Sequence, residues 1–136
     1  MERTAMMSRT PEQQAKVDAA LELIDTFATG DSARAAELLA EGYIQHNLSY
    51  GTGRDAFTGS VNYLASAEAP TLVANVHSFV DGDSVFLQTV YNFAGAGEQV
   101  AFDVFRFDED GKIAEHWDDV ETIAPQDTWA NDNGKF

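Results

Sequence analysis

The sequence predicts an α+β fold in which a curved antiparallel sheet wraps around N-terminal helices and leaves an apolar hollow between them. Up to Pro70, apolar side chains recur at helical spacing. Beyond it, runs rich in Val, Phe, Tyr, Thr and Ile alternate with short turns that contain Gly and Asp. Helices followed by strands are typical of α+β domains, and 136 residues suffice for one domain with a core.

Helix signals precede a four-strand meander. The motif Thr10-Pro11-Glu12-Gln13 forms a capping box with proline in the first helical position, and Gly30 ends this helix. Asp31 caps a short second helix, and Arg54–Ala67 forms a third. Tyr43–His46 is compatible with a strand or a helical turn. The predicted strands are Thr71–Val80, Ser84–Phe93, Gln99–Phe107 and Lys112–Ile123.

Composition limits the function classes. The chain has no cysteine, which excludes disulfides, thiolate nucleophiles and Cys-based metal sites. A formal charge of −15 disfavours nucleic acid and anionic membranes as partners. No apolar stretch is long enough to span a membrane, and the absence of a signal peptide and of cysteine favours the cytoplasm. We expect a flexible segment over 1–10, one domain over 11–124 and a polar tail over 125–136.

The last predicted hairpin brings polar residues onto an apolar face. A two-residue Asp110-Gly111 turn pairs Phe107 with Ala114, Phe105 with His116, and Asp103 with Asp118. Because residues two apart share a face, one face is predicted to carry Ala101, Asp103, Phe105, Ala114, His116, Asp118 and Val120. The opposite face is predicted to carry Phe102, Val104, Arg106, Ile113, Glu115 and Trp117.

This arrangement points to acid–base chemistry. Burial among Phe side chains and a second carboxylate both raise a carboxyl pKa, which adapts Asp103 to proton transfer near neutral pH. The structural alternatives are a buried Asp103 that accepts hydrogen bonds from the backbone or Arg106, a half-exposed His116, and a solvated strand end at Asp118.

The other two histidines are less constrained. His46 precedes Asn47 and a Gly-rich loop of the kind that often carries function at a pocket mouth. His77 faces the pocket or the other side of the sheet according to the length of the following turn. No His-x-His or His-x-x-x-His spacing occurs, so we expect neither a metal nor a cofactor. The apolar outer face is expected to pair with a second copy of the chain in a two-fold dimer.

Four segments resemble the SnoaL-like polyketide cyclases: Tyr43-Ile44-Gln45-His46-Asn47, Gly53-Arg54-Asp55-Ala56-Phe57, Phe102–Phe107 and Gly111–Asp118. The ending Ala130–Phe136 is similar to that of predicted SnoaL-like aldol-condensation proteins. The resemblance runs from about Pro11 to the C-terminus and implies the cone-shaped barrel of the nuclear-transport-factor-2-like superfamily. One departure is Leu48, where the family usually has proline after His-Asn.

The resemblance also implies site residues. Asp103 corresponds to the acid/base aspartate of the cyclases, and His46 and His116 fall on pocket positions. We therefore expect catalysis by Asp103, His116 and His46, and substrate binding by Tyr43, Asn47, Phe105, Asp118 and His77. The expected ligand is a small apolar carbonyl compound that undergoes enolisation, aldol-type cyclisation or isomerisation. A lyase or hydrolase that activates water, and a binding or scaffold module without chemistry, remain alternatives.

Overall fold

The computed structural model describes residues 8–136 and contains three α-helices and one five-stranded sheet. The helices are α1 (Pro11–Thr29), α2 (Ser32–Leu38) and α3 (Arg54–Ala65). The strands are β1 (Leu39–Gln45), β2 (Leu72–Asp81), β3 (Ser84–Asn92), β4 (Glu98–Phe107) and β5 (Ile113–Thr122). The predicted α+β class is confirmed.

Helix α1 begins and ends where the sequence predicts. The Thr10 hydroxyl accepts from the Gln13 backbone N–H, and the Gln13 side chain accepts from the Thr10 N–H, which completes the capping box. Gly30 adopts a left-handed conformation at the C-cap, and a Cβ there would lie 3.0 Å from the Ala65 Cβ. Glycine thus provides both the turn and the close approach of α1 to α3.

The sheet has the order β1-β5-β4-β3-β2. Strands β2 to β5 form the predicted antiparallel meander, whereas β1 pairs with β5 in parallel. The sheet is therefore mixed, and it is open rather than closed into a barrel. Strand β1 begins at Leu39, directly after α2, and the segment Tyr43–Gln45 is part of this strand.

The β4–β5 register differs from the prediction at one point. Asp103 pairs with Asp118 and Phe105 with His116, as expected, but Phe107 pairs with Ile113 instead of Ala114. An irregularity after Arg106 causes this shift. The assignment of Ile113 to the outer face is therefore wrong: its side chain is fully buried in the core.

The core lies between the helices and one face of the sheet. Its buried members come from all three helices and from β1, β3, β4 and β5, and include Leu23, Val61, Leu87 and Phe105. The opposite face of the sheet carries a directly paired row of large side chains across four strands, namely Phe79, Phe86, Val104 and Trp117. We call this surface the outer face.

The chain ends contact the body of the protein. Residues 1–7 of the predicted flexible segment lie outside the described residues, and Arg9 donates from Nη2 to the Ser78 hydroxyl at 2.9 Å. In the tail, the Lys135 carbonyl accepts from Gln88, and Lys135 forms an ion pair with Glu121. None of the helices formed by residues 8–136 has the length and apolarity needed to cross a membrane.

Candidate active site

A cavity of about 820 Å³ lies between the helices and the inner face of the sheet. Helices α1 and α3 contribute apolar side chains such as Ile24, Phe27 and Phe57. The strands contribute polar side chains such as Asp103, His116 and Asp118, and the loop after β1 contributes Asn47, Ser49, Tyr50 and Gly51. Volumes of this order are usual for small-molecule sites.

Asp103 lies in the wall of this cavity with 4% of its surface exposed. Its Oδ1 is 2.8 Å from the His116 Nε2, and its Oδ2 accepts a 2.8 Å hydrogen bond from the Tyr91 hydroxyl. Arg106, the partner in the structural alternative, binds Glu115 instead. Both carboxyl oxygens thus have one partner each and keep a lone pair for a ligand.

The hydrogen bond of the His116 Nδ1 shows that this nitrogen carries a proton. The ring is buried and stacks on Phe105 with centroids 4.7 Å apart. Its Nδ1 lies 2.8 Å from the Gln45 Oε1, which also accepts from the Asn47 backbone N–H. Because this amide oxygen can only accept, the Nδ1 carries a proton. A second proton is shared between the Nε2 and Asp103.

Gln45 links the histidine to a phenol. Its Nε2 donates to the Tyr43 hydroxyl oxygen at 3.1 Å. Burial raises the pKa of Tyr43 far above its ordinary value, and the charges of Asp103 and Asp118 raise it further. Tyr43 therefore stays protonated, and its hydroxyl hydrogen is available to a ligand oxygen in the cavity.

Asp118 is the second carboxylate of the cavity. Both its oxygens accept from the Asn47 side-chain amide, at 3.0 and 3.2 Å, and its Oδ2 lies 3.9 Å from the His116 Nε2. Burial raises the pKa of this carboxyl, and His116 and the Asn47 amide partly offset the effect. Within the described part of the chain, Asp118 thus has no cationic partner closer than His116, at 3.9 Å.

Two predicted site residues lie away from the cavity. His46 follows the end of β1, where its ring stacks on Trp117 at 4.8 Å and its Nε2 is 2.6 Å from a Glu115 oxygen, on the outer face. His77 pairs in register with Gln88 and is bound to its side chain at 2.7 Å, also on that face. The pocket positions assigned to His46 and His77 are therefore wrong.

The structure adds two residues that the sequence analysis missed. Tyr91 and Gln45 hold Asp103 and His116 in place, and both line the cavity. Tyr91 pairs with Gln99 across the sheet and Gln45 pairs with His116 in the parallel β1–β5 ladder. The alternation of inward and outward side chains along β3 could have placed Tyr91 in the cavity. The position of Gln45 could not be predicted without the parallel pairing of β1 with β5.

The same residues provide the nearest approach to a metal site in the described part of the chain. One ligand atom each from Asp103, His116 and Asp118 lies within 4.8 Å of the others. The Nε2 of His116 and the Oδ1 of Asp103 already share a proton, so a cation would have to displace it. We assign no metal to this set.

Comparison with known proteins agrees with this architecture. The model of the SnoaL-like domain family matches residues 20–116, which include β1, β4 and the start of β5. The chain belongs to the SnoaL-like domain family. No curated protein matches it significantly.

Solved structures share the fold of this SnoaL-like protein at low identity. An LEH-like epoxide hydrolase from M. tuberculosis is 15% identical with a TM-score of 0.70, over 82% of this chain and 86% of that one. A steroid Δ-isomerase from Pseudomonas aeruginosa is 20% identical with a TM-score of 0.61, over 83% and 84%. IdmH from Streptomyces antibioticus, a candidate polyketide cyclase, is 20% identical with a TM-score of 0.62, over 78% and 91%.

Proposed function

We propose that this SnoaL-like protein is an acid–base enzyme that moves a proton at the carbon next to a carbonyl group of a small apolar compound. The observation that carries the proposal is the buried Asp103 carboxyl, which faces the cavity while His116 and Tyr91 hold its two oxygens. Proteins named as a steroid Δ-isomerase and as a candidate polyketide cyclase share this fold, and these names support the same reaction class here.

Asp103 takes and returns the proton. As a carboxylate it forms a neutral pair with His116, whose Nδ1–H donates to Gln45 and whose Nε2–H donates to Asp103. A free lone pair on the carboxylate removes the α-proton, and the C–H electron pair forms the enolate double bond. The proton then returns to the same carbon, or to another one, or the enolate attacks a second carbonyl carbon in an aldol closure.

Tyr43 stabilises the enolate oxygen in this scheme. Its hydroxyl accepts from Gln45, so its own hydrogen points to the ligand instead of to the protein. Its raised pKa keeps the proton in place at neutral pH, and burial strengthens the hydrogen bond. His116 acts through Asp103, since its Nε2 is already bound there.

Deuterium exchange tests the proposal without knowledge of the natural substrate. The α-protons of 2-tetralone, a bicyclic ketone smaller than the cavity, are followed by ¹H NMR in D₂O. We expect the protein to accelerate exchange and Asp103→Asn to lower the acceleration by about 100-fold or more, the range for loss of a general base. The matched control is Asp25→Asn, at an exposed position of α1.

Two outcomes contradict the proposal. An unchanged rate in Asp103→Asn removes Asp103 from the chemistry. Binding of 2-tetralone to the wild-type protein without any acceleration of exchange identifies a non-catalytic binding module instead.

A further inference from the structure

The cavity wall carries two carboxyl groups, those of Asp103 and Asp118, but no lysine or arginine of the described residues to pair with them. Among residues 8–136, His116 is the only basic side chain in this wall. The proton that His116 shares lies 2.8 Å from Asp103 but 3.9 Å from the nearest Asp118 oxygen. The imidazole therefore pairs with Asp103, and the Asp118 carboxyl group faces the cavity without a close cationic partner among residues 8–136.

The partners of Asp118 do not neutralise it. Among the described residues, only the neutral Asn47 amide donates to its oxygens, at 3.0 and 3.2 Å. The side chain is 13% exposed, so water replaces the missing partner only in part. An unpaired carboxylate that is mostly removed from water costs stability, and a ligand cation beside it relieves that cost.

The rest of the wall also suits a cation. Eight aromatic side chains line the cavity, including Phe27, Tyr43, Tyr91 and Phe105. The faces of aromatic rings attract organic cations, most strongly where water is excluded. By contrast, a ligand carboxylate or phosphate would meet two carboxylates and no Lys or Arg.

We propose that the preferred substrates are carbonyl compounds that carry a positively charged amine, with the ammonium group next to Asp118 and the carbonyl group next to Tyr43 and Asp103. This inference rests on the proposed function, because it places the reacting carbonyl at Asp103. It adds the substrate class: cationic or neutral ligands enter, and anionic ones are rejected.

Three cyclic ketones of similar size test the charge preference. The probes are 1,1-dimethyl-4-oxopiperidinium, which is cationic; its neutral isostere 4,4-dimethylcyclohexanone; and 4-oxocyclohexanecarboxylate, which is anionic. Dissociation constants are measured by titration of amide signals in ¹H–¹⁵N NMR spectra. We expect the cation to bind about tenfold more tightly than the neutral isostere, as for one partly desolvated charge contact, and the anion to bind most weakly.

Asp118→Asn is the decisive variant. It keeps an oxygen that can accept from Asn47 and removes only the charge, so the cation should lose most of its advantage while the affinity of the neutral ketone stays within about twofold. Asp119→Asn, at the exposed neighbouring position whose side chain points to the other face, is the matched control and should keep the full preference.

The possible results separate this inference from the proposed function. Equal affinity for the cation and its isostere, no measurable binding of the cation, tighter binding of the anion, or an unchanged preference in Asp118→Asn each overturns the inference. None of these measurements requires turnover, whereas α-proton exchange of 2-tetralone tests Asp103 alone. A cation preference without any exchange supports the charge inference and rejects the enzyme.

Discussion

At the scale of single residues, Gln45 positions two groups around the candidate base Asp103: the His116 ring and the Tyr43 hydroxyl. Its amide oxygen fixes the proton on the His116 Nδ1, and its amide nitrogen orients the Tyr43 hydroxyl. One side chain thus controls both the partner of Asp103 and the predicted donor to the enolate. Supporting contacts of this kind matter because a misplaced donor or base loses much of its catalytic effect.

Replacement of the Gln45 amide should lower the rate of proton exchange while Asp103 and His116 both remain in the site. We expect Gln45→Leu to slow α-proton exchange of 2-tetralone by about 10- to 100-fold, as for other residues that orient a functional histidine. The ¹⁵N chemical shifts of His116 should change, because its Nδ1–H loses the acceptor that Gln45 provides. Gln88→Leu is the matched control, because Gln88 binds His77 in the same way on the outer face.

Gln45 is a positioning residue only if the exchange rate and the His116 ¹⁵N shifts change together. Loss of exchange with the His116 ¹⁵N shifts unchanged would contradict this role, and so would an equal loss in Gln88→Leu.

Asp118 should make stability depend on pH. Because burial raises its pKa in the folded chain above the reference value of 3.8, the folded state holds this proton to a higher pH than the unfolded state does. The native protein therefore loses stability as the pH rises from about 4 through the raised pKa. Asp118→Asn stays neutral throughout, so its Tm should exceed that of the wild type by a few degrees at pH ~7, and the gap should close near pH ~4. A Tm difference that grows as the pH falls would refute this assignment.

At the scale of elements, alternation along the strands predicts most of the site. The pairing of Asp103 with Asp118 and of Phe105 with His116 follows from the turn that joins β4 to β5. These residues, together with Tyr43 and Asn47, line the cavity as the sequence predicts. The prediction fails where the paired strands are not neighbours in the sequence. The parallel pairing of β1 with β5 orients Gln45 towards the cavity, and the next residue, His46, lies on the other face of the sheet.

The irregularity between β4 and β5 has a measurable consequence. An unbroken register leaves Ile113 on the outer face, where truncation costs little, whereas the structure buries its side chain completely. We expect Ile113→Ala to lower the free energy of unfolding by about 2 to 5 kcal/mol. Val104→Ala, on the outer face, is the control and should cost less than about 1 kcal/mol. The free energies of unfolding are measured by urea denaturation. Similar losses of unfolding free energy in the two variants would favour the unbroken register.

At the scale of the whole molecule, the two faces of the sheet differ in what they contact: one lines the cavity, and the other exposes aromatic side chains. The inner face carries the cavity, and the outer face exposes 62% of Phe79, 59% of Phe102 and 37% of Trp117. His46 extends this surface by stacking on Trp117, and Glu115 links it to Arg106. An apolar, partly aromatic surface that spans four strands and has a charged edge has the composition of a protein–protein interface.

We therefore predict that two copies of the chain associate through their outer faces around a two-fold axis. Sedimentation equilibrium should show a dimer for the wild type and a monomer for Phe102→Glu, because the new carboxylate would meet its copy near the axis of a chain that already carries a charge of −15. Leu48→Glu, at a fully exposed position in the loop after β1, is the control and should remain dimeric. Exchange at Asp103 should survive in the monomer, because the cavity lies on the other face of the sheet. A wild-type protein that stays monomeric at all concentrations would contradict this prediction.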